Sequence, residues 1–340
     1  MRLDSRRFLA LAAALLLAAV TPALAQTTVM KIGTATIGDG DQNTWMTRFK
    51  ERMEKRAPGR IEVQLYPGSQ LGDNTRMVQG VQMGTLEGYV GPTTISAIAE
   101  RRLQIFDAPG LFDDMQHGQR VITDPDVRGW YLALGESKGF TGISIYVSGT
   151  SSMVTRTRPI RTVEDFRGLK MSVLATKMET ETMSRLGAAG VPMPMTDRLQ
   201  AMQTGQIDGT KLALVVSDAF KFWTLAKYQT ESDEVLIISQ VTVHKPWLDK
   251  LPADLRAMIL EEGKKLDDEM IAYSLEKRKF YRENWVKNGG ELIHFTPEER
   301  KRFLDRLAGV ATAVLSENAE VKAAYDRLLP FVEKHRKKPS

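Results

Sequence analysis

The sequence predicts an α/β protein of two domains, with one long helix bracing both. Three observations carry that prediction. Strand-like and helix-like segments alternate along the chain, the alternation restarts after Gly149, and Ala253 to Lys287 contains no proline and only one glycine, Gly263. At 340 residues the chain also exceeds what one hydrophobic core usually supports.

The first segment, residues 1–25, is expected to be a removed signal peptide. Arg2, Arg6 and Arg7 form a positive start, Phe8 to Val20 is an unbroken apolar run, and Ala23-Leu24-Ala25 is a small-residue cleavage site. That run falls short of the roughly 20 residues that cross a bilayer. The mature chain is therefore expected in the periplasm and not itself membrane-spanning. Ser5-Arg6-Arg7-Phe8-Leu9 also fits part of a twin-arginine signal, so the export route stays open.

In the first domain, Val29 to Thr36 reads as a strand, and Gly38-Asp39-Gly40 turns the chain into a helix from about Asn43 to Lys55. Ile61 to Tyr66 alternates as a strand, Asp73 to Met83 is helical, and Leu86 to Val90 is strand. Gln116 to Leu134 reads as one helix before an apolar strand at Phe140 to Val147. The second unit repeats the grammar, with Leu169 to Val173 a strand, Met178 to Leu186 and Asp197 to Thr204 helices, and Ile207-Asp208-Gly209 a short strand and turn. Val235 to Val243 suits a strand returning to the first sheet. The long helix at 253–287 would run about 50 Å at 1.5 Å per residue, enough to brace both domains. Gly289-Gly290 stops it, and Thr296-Pro297-Glu298-Glu299 supplies an N-cap, a first-turn proline and acidic residues for the next helix.

Composition excludes several classes of function. Hydrophobic content of 42% with 26% charged residues is globular, and with no cysteine an exported chain must rest on buried cores. The formal charge of +5 falls by two when the leader goes, and Lys334, Arg336, Lys337 and Lys338 crowd the other end. The body is near neutral and has no basic patch interleaved with aromatics, so nucleic acid is not an expected partner. His117, His244, His294 and His335 include no pair at helical spacing, so no metal and no cofactor are expected. Gly149-Thr150-Ser151-Ser152 lacks the last glycine of a nucleophile elbow, and no glycine-rich loop leads into Lys-Ser/Thr. Asp39 to Asn43 starts like a calcium loop but has Thr44 where glycine is needed and Lys50 where glutamate is needed, which leaves a polar turn before a helix. Asp113-Asp114 reads as a solvated loop, since adjacent side chains usually point apart.

From Gln70-Leu71-Gly72-Asp73-Asn74-Thr75-Arg76 through Gly84-Thr85-Leu86 the chain resembles the DctP-type solute-binding proteins of tripartite ATP-independent periplasmic (TRAP) transporters. The resemblance continues through Phe106 to Phe112, Arg158-Pro159-Ile160 to Lys170, Met202-Gln203-Thr204-Gly205-Gln206-Ile207-Asp208-Gly209, and Trp247 to Pro252. It covers nearly all of the mature chain, in order. It implies a two-domain periplasmic-binding-protein-like fold with a hinge, a central ligand cleft and a long helix spanning both domains, with domain I at 28–148 plus 238–277 and domain II at 149–237 plus 278–335. It also implies a small-molecule solute and the membrane subunits of a TRAP transporter as partners, and a monomer.

One departure bears on the ligand. Members that carry organic acids hold the carboxylate with an arginine in the strand after Gly-Leu-Lys, and here that segment is Lys170-Met171-Ser172-Val173. A second family arginine is matched by Ser151, and the usual Gln-Glu-Asn-Pro after Asp-Gly by Thr210-Lys211-Leu212-Ala213. A guanidinium offers a two-pronged fork for carboxylate, which a serine hydroxyl does not. Three readings follow: a neutral polyol-like or amide solute, an anion recaptured by Lys211 or another cation, or a lost site. Lys211 could instead simply reach solvent. The expected ligand-binding groups are Ser151, Ser172 and Lys211, with Leu174 and Met195 as apolar walls and Asn74 and Thr93 on first-domain loops facing the cleft. Met195 could equally be plain core. The expected function is solute capture for transport rather than catalysis, since no nucleophile, base and orienting group come together. A ligand-presenting protein for a sensor and an exported enzyme are the alternatives.

Overall fold

The computed structural model describes residues 27–336, so the expected leader lies outside the described residues. The first half of the chain begins with β1 (Thr28–Gly33), α1 (Asp41–Arg56), β2 (Ile61–Tyr66), α2 (Asn74–Met83) and β3 (Gly88–Pro92). A one-turn helix α3 (Thr93–Ser96), a 3-10 segment at Arg101–Asp107, α4 (Met115–Ile122), α5 (Pro125–Leu132) and β4 (Phe140–Thr155) follow. The second half holds β5 (Lys170–Val173), α6 (Lys177–Arg185), β6 (Ala189–Pro192), α7 (Met195–Gln203), β7 (Gly209–Ala213), α8 (Leu214–Ala219) and β8 (Tyr228–Glu231). Then come β9 (Leu236–His244), α9 (Lys245–Lys250), α10 (Ala253–Lys287), β10 (Glu291–His294), α11 (Pro297–Leu307), α12 (Val310–Leu315) and α13 (Ala319–His335).

The sheet order β2-β1-β3-β9-β4-β7-β5-β6 makes β4 the strand shared by two sheet halves. Phe140 to Thr150 pairs antiparallel with β9, and Ser151 to Thr155 pairs antiparallel with β7. Two register shifts, at Gly142/Ser144 and Val147/Gly149, come just before the change of partner. An extra residue on one strand bends it and increases its twist, which lets one strand serve both halves. β9 pairs β3 antiparallel, so the chain returns to the first sheet after leaving the second half.

The single glycine of α10 has a definite task. A Cβ on Gly263 would sit 2.5 Å from the backbone oxygen of Ile143, so only glycine lets α10 lie this close to β4. One turn on, the Asp267 carboxylate accepts hydrogen bonds from Ser144 Oγ at 2.6 Å and the Ile145 amide at 2.9 Å, and pairs with Arg128 Nε at 2.5 Å. Further along, Arg278 and Arg282 hold the buried Glu231 of β8, and Trp285 Nε1 donates to the Glu291 carbonyl. The helix therefore touches both sheet halves.

Several elements differ from the expectation. The stretch 116–134 is two helices, because Asp124 caps the second and Pro125 begins it, and a residue before proline disfavours the helical region. The strand at 140 runs on to Thr155, and the one expected at 207–209 starts at Gly209 and reaches Ala213. The last helix, α13, falls in the span assigned to domain II yet packs on first-half elements. Its Val332 carbonyl lies 2.9 Å from His117 Nε2, and Lys334 and His335 both reach Asp124. The cause is its apolar face, since Val321, Ala324, Leu328 and Val332 are all buried in a core shared with Leu103, Phe106 and Val121. No helix among the described residues is long and apolar enough to cross a membrane.

Candidate functional site

β5, β6 and β7 run parallel, so their carboxyl ends share one edge of the second sheet half. Open α/β sheets bind ligands at that edge. Ser172 on β5 faces Thr210 on β7 across the register, and Lys211 follows Thr210 on the opposite face of the strand.

Lys211 is buried and is not a free cation. Its Nζ lies 2.9 Å from Glu179 Oε1 on α6 and 3.0 Å from Glu234 Oε1. Burial opposes the charge, but the attraction and hydrogen bonds of the two carboxylates outweigh it and hold the lysine above its ordinary pKa. Glu234, only 1% exposed, is likewise penalised by burial and held ionised below the usual carboxylate range by Lys211 and by the Ser151 and Ser232 hydroxyls. The expectation that Lys211 recaptures an anion is thus corrected: two carboxylates already match its charge. The alternative that it merely reaches solvent is corrected too.

Ser151, expected to face a solute, turns its hydroxyl to Glu234 Oε2 at 2.6 Å and belongs to the same buried network. Ser172 is fully buried, and its Oγ has no hydrogen-bond partner. Leu174 and Met195 are half-buried, at the end of β5 and the start of α7. Met195 packs against a cluster with Ala201, Met202 and Leu212, the plain core role. Asn74 accepts from the Tyr89 hydroxyl at 3.0 Å, and Thr93 is buried at the start of α3.

Two charged residues escaped the sequence reading. Arg198 on α7 is 1% exposed and donates to the Met193 carbonyl, to Thr210 Oγ1 at 3.1 Å and to the Lys211 carbonyl at 2.9 Å. Its guanidinium lies beside the strand position facing Ser172, and burial lowers its pKa to about 10. The available signal was helical spacing, because Arg198 shares a face with Ala201 and Met202. The second is Asp107, at the end of the 3-10 segment of the first half. Its Oδ1 accepts from Thr94 Oγ1 at 2.7 Å, and it feels the charges of Glu179 and Lys211 from the other half.

Burial pushes Asp107 up to about 7, with repulsion from Glu179 adding to it and Thr94 and Lys211 opposing. A carboxyl whose folded pKa exceeds its unfolded value favours the folded state when protonated, so that contribution is lost as pH rises from about 4 to about 7. Asp107→Asn is therefore expected to be neutral near pH 4 and stabilising by about 2–4 kcal/mol near pH 8. Urea melts of both proteins at the two pH values test this, and equal differences at both would refute it.

A small cavity lies beside the point where β4 changes partner, lined by Asp41, Ser148, Thr150, Leu214, Ser274 and Tyr281, and has room of about 20 Å³. That is enough for about one water. Asp41 there is buried and raised by desolvation, with Ser148 Oγ at 2.5 Å. Among the described residues no group of His, Cys, Asp and Glu is arranged to hold a metal ion.

Against known proteins, the profile of the bacterial extracellular solute-binding protein family 7, DctP, matches residues 40–318. The C4-dicarboxylate-binding periplasmic protein DctP of Rhodobacter capsulatus is 31% identical over 247 residues, covering 72% of this chain and 73% of that protein. The 2,3-diketo-L-gulonate-binding periplasmic protein YiaO of Escherichia coli (strain K12) is 23% identical over 278 residues, covering 82% and 84%. A TRAP periplasmic solute binding protein from Desulfovibrio salexigens, solved with bound orotic acid, shares the fold with a TM-score of 0.86 at 21% identity, covering 91% of this chain and all of that one.

Proposed function

The chain belongs to the bacterial extracellular solute-binding protein family 7, and from that premise we propose that it is the periplasmic, solute-capturing subunit of a TRAP-type secondary transporter. The proposed moving bodies are residues 28–148 plus 238–277 together with α13, which packs on them, and residues 149–237 plus 278–318, hinged where β4 and β9 pass between the halves. A small solute enters between them at the carboxyl ends of β5 and β7, and closure delivers it unchanged to the membrane subunits. The observation that carries the reading is the cavity where β4 passes from one sheet half to the other, lined by Asp41 and Ser148 of the first half and by Ala213 and Leu214 at the end of β7. A solute seated there would stabilise the closed form by touching both bodies at once, which is all that capture requires.

Ser172 and Ser151 stand where relatives place arginines, so the solute is not gripped by a strand guanidinium. Relatives bind C4-dicarboxylate or 2,3-diketo-L-gulonate by name. Here Ser172, whose buried hydroxyl has no partner, the wall of Leu174, and Asn74 and Thr93 of the first half are the proposed contacts. The test is uptake into vesicles carrying the TRAP membrane subunits, with the mature chain added outside and small-angle scattering run in parallel. Solute-dependent compaction and uptake that needs the added chain are expected. Chemical conversion of the solute, or uptake indifferent to the chain, would overturn the reading.

A further inference from the structure

We propose that the cavity at the bend of β4 is a fixed water site, in which one water links Ser274 of α10 to Asp41 of α1 and completes the seam between α10 and β4. The inference goes beyond the capture role and rests on the lining of the cavity alone. α10 turns one face to β4 along its length. Gly263 lies against the Ile143 carbonyl, and Asp267 takes direct hydrogen bonds from Ser144 Oγ and the Ile145 amide. Seven residues beyond Asp267, two turns on and on the same face, stands Ser274. There β4 has just passed its second register shift, at Val147/Gly149, and a strand bends at such a point. The direct contacts stop, and the gap has room of about 20 Å³, the size of one water.

The polar groups decide what fills it. Ser274 is 4% exposed and lines the cavity, and its Oγ has no hydrogen-bond partner among the described residues. A buried hydroxyl left unpaired is costly, so it marks a place where a partner is due. Asp41 lines the same cavity at 6% exposure, and Ser148 Oγ donates to its Oδ2 at 2.5 Å, which leaves Oδ1 as an acceptor. The two cations of the lining are engaged elsewhere: Lys277 pairs with Asp39, and Arg278 with Glu231 and Asp233 at 2.8 Å. A further cation would be opposed by Lys277 and Arg278, and an anion by the Asp41 carboxylate. One uncharged oxygen that both donates and accepts remains, and water is that group. A solute reaching this place has to supply the same donor and acceptor or leave the water where it is.

The test begins with crystals of the full mature chain grown without added solute. A density peak within about 3 Å of both Ser274 Oγ and an Asp41 oxygen is expected. A dry cavity in well-ordered density would overturn the proposal. The second arm reads the sign of a stability change. Removing a buried hydroxyl that has no partner should help the fold, whereas removing one bonded to a fixed water should harm it. Ser274→Ala is therefore expected to lower the melting temperature by about 2 °C and to speed amide hydrogen exchange across residues 147–150. Ser96→Ala removes another buried hydroxyl without a partner, outside this cavity, and is expected to leave the melting temperature unchanged or raise it. A rise for Ser274→Ala, or equal losses in the two variants, would also overturn the proposal. None of these results depends on uptake, so the capture role stands or falls on its own assay.

Discussion

Lys211→Met is expected to destabilise the fold by about 3–5 kcal/mol, because removing one partner of a buried ion pair leaves its carboxylates uncompensated. Methionine nearly matches the length and volume of lysine, so a cavity is not the cause. Of the two acids left behind, Glu179 has a side chain 15% exposed and can turn toward water, while Glu234 is enclosed. Without its cation, Glu234 has burial as its dominant influence, and its folded pKa would rise above the unfolded one. The deficit should therefore grow as pH rises and shrink near pH 4, where both states are protonated. Adding Glu234→Gln to Lys211→Met should restore at least half of the loss, because the orphaned charge is gone. Urea denaturation of both variants at pH 5 and pH 8 measures this. A loss under about 1 kcal/mol would show that the lysine reaches solvent instead of serving as the centre of a buried triad.

The way this site escaped the sequence follows from separation along the chain. Lys211 could be picked out because it follows the Asp208-Gly209 turn, but Glu179 and Glu234 lie on different elements, 32 residues before and 23 after. No periodicity links such positions. Long elements were easier to read. The proline-free run of α10 shows its 3.6-residue pattern over many turns, and Asp73 and Thr296 cap helices as their positions suggest. Short strands were not. β6 is Ala189-Gly190-Val191-Pro192, with no alternation and Val191 as its one branched residue, and it is a strand because β5 offers it a parallel edge. The extension of β4 past Val147 was hidden by Gly149, which reads as a break but in the sheet marks the bend between partners. Ser151 shows the limit of motif matching. The resemblance implies a ligand contact at this position, yet the serine hydroxyl turns to Glu234.

Gly263→Val is expected to cost at least about 3 kcal/mol, even though valine is no worse than glycine as a helix former. Its Cβ would lie 2.5 Å from the Ile143 oxygen, a backbone atom that has no side-chain freedom with which to yield. Relief requires α10 to move away from β4. That movement lengthens the bonds from Ser144 Oγ and the Ile145 amide to Asp267, one turn further along the same face. Arg128, which pairs with Asp267 and also donates to the Ile143 carbonyl, would lose the geometry of both contacts. Overpacking and the loss of charge-assisted hydrogen bonds therefore act together. Gly263→Ala divides the two effects. It gains about 1 kcal/mol of helix propensity but meets the same carbonyl, so a net loss is expected in calorimetric melts. An alanine variant more stable than the parent would mean that the helix has slack over β4, and α10 could not then fix the strand that the two sheet halves share.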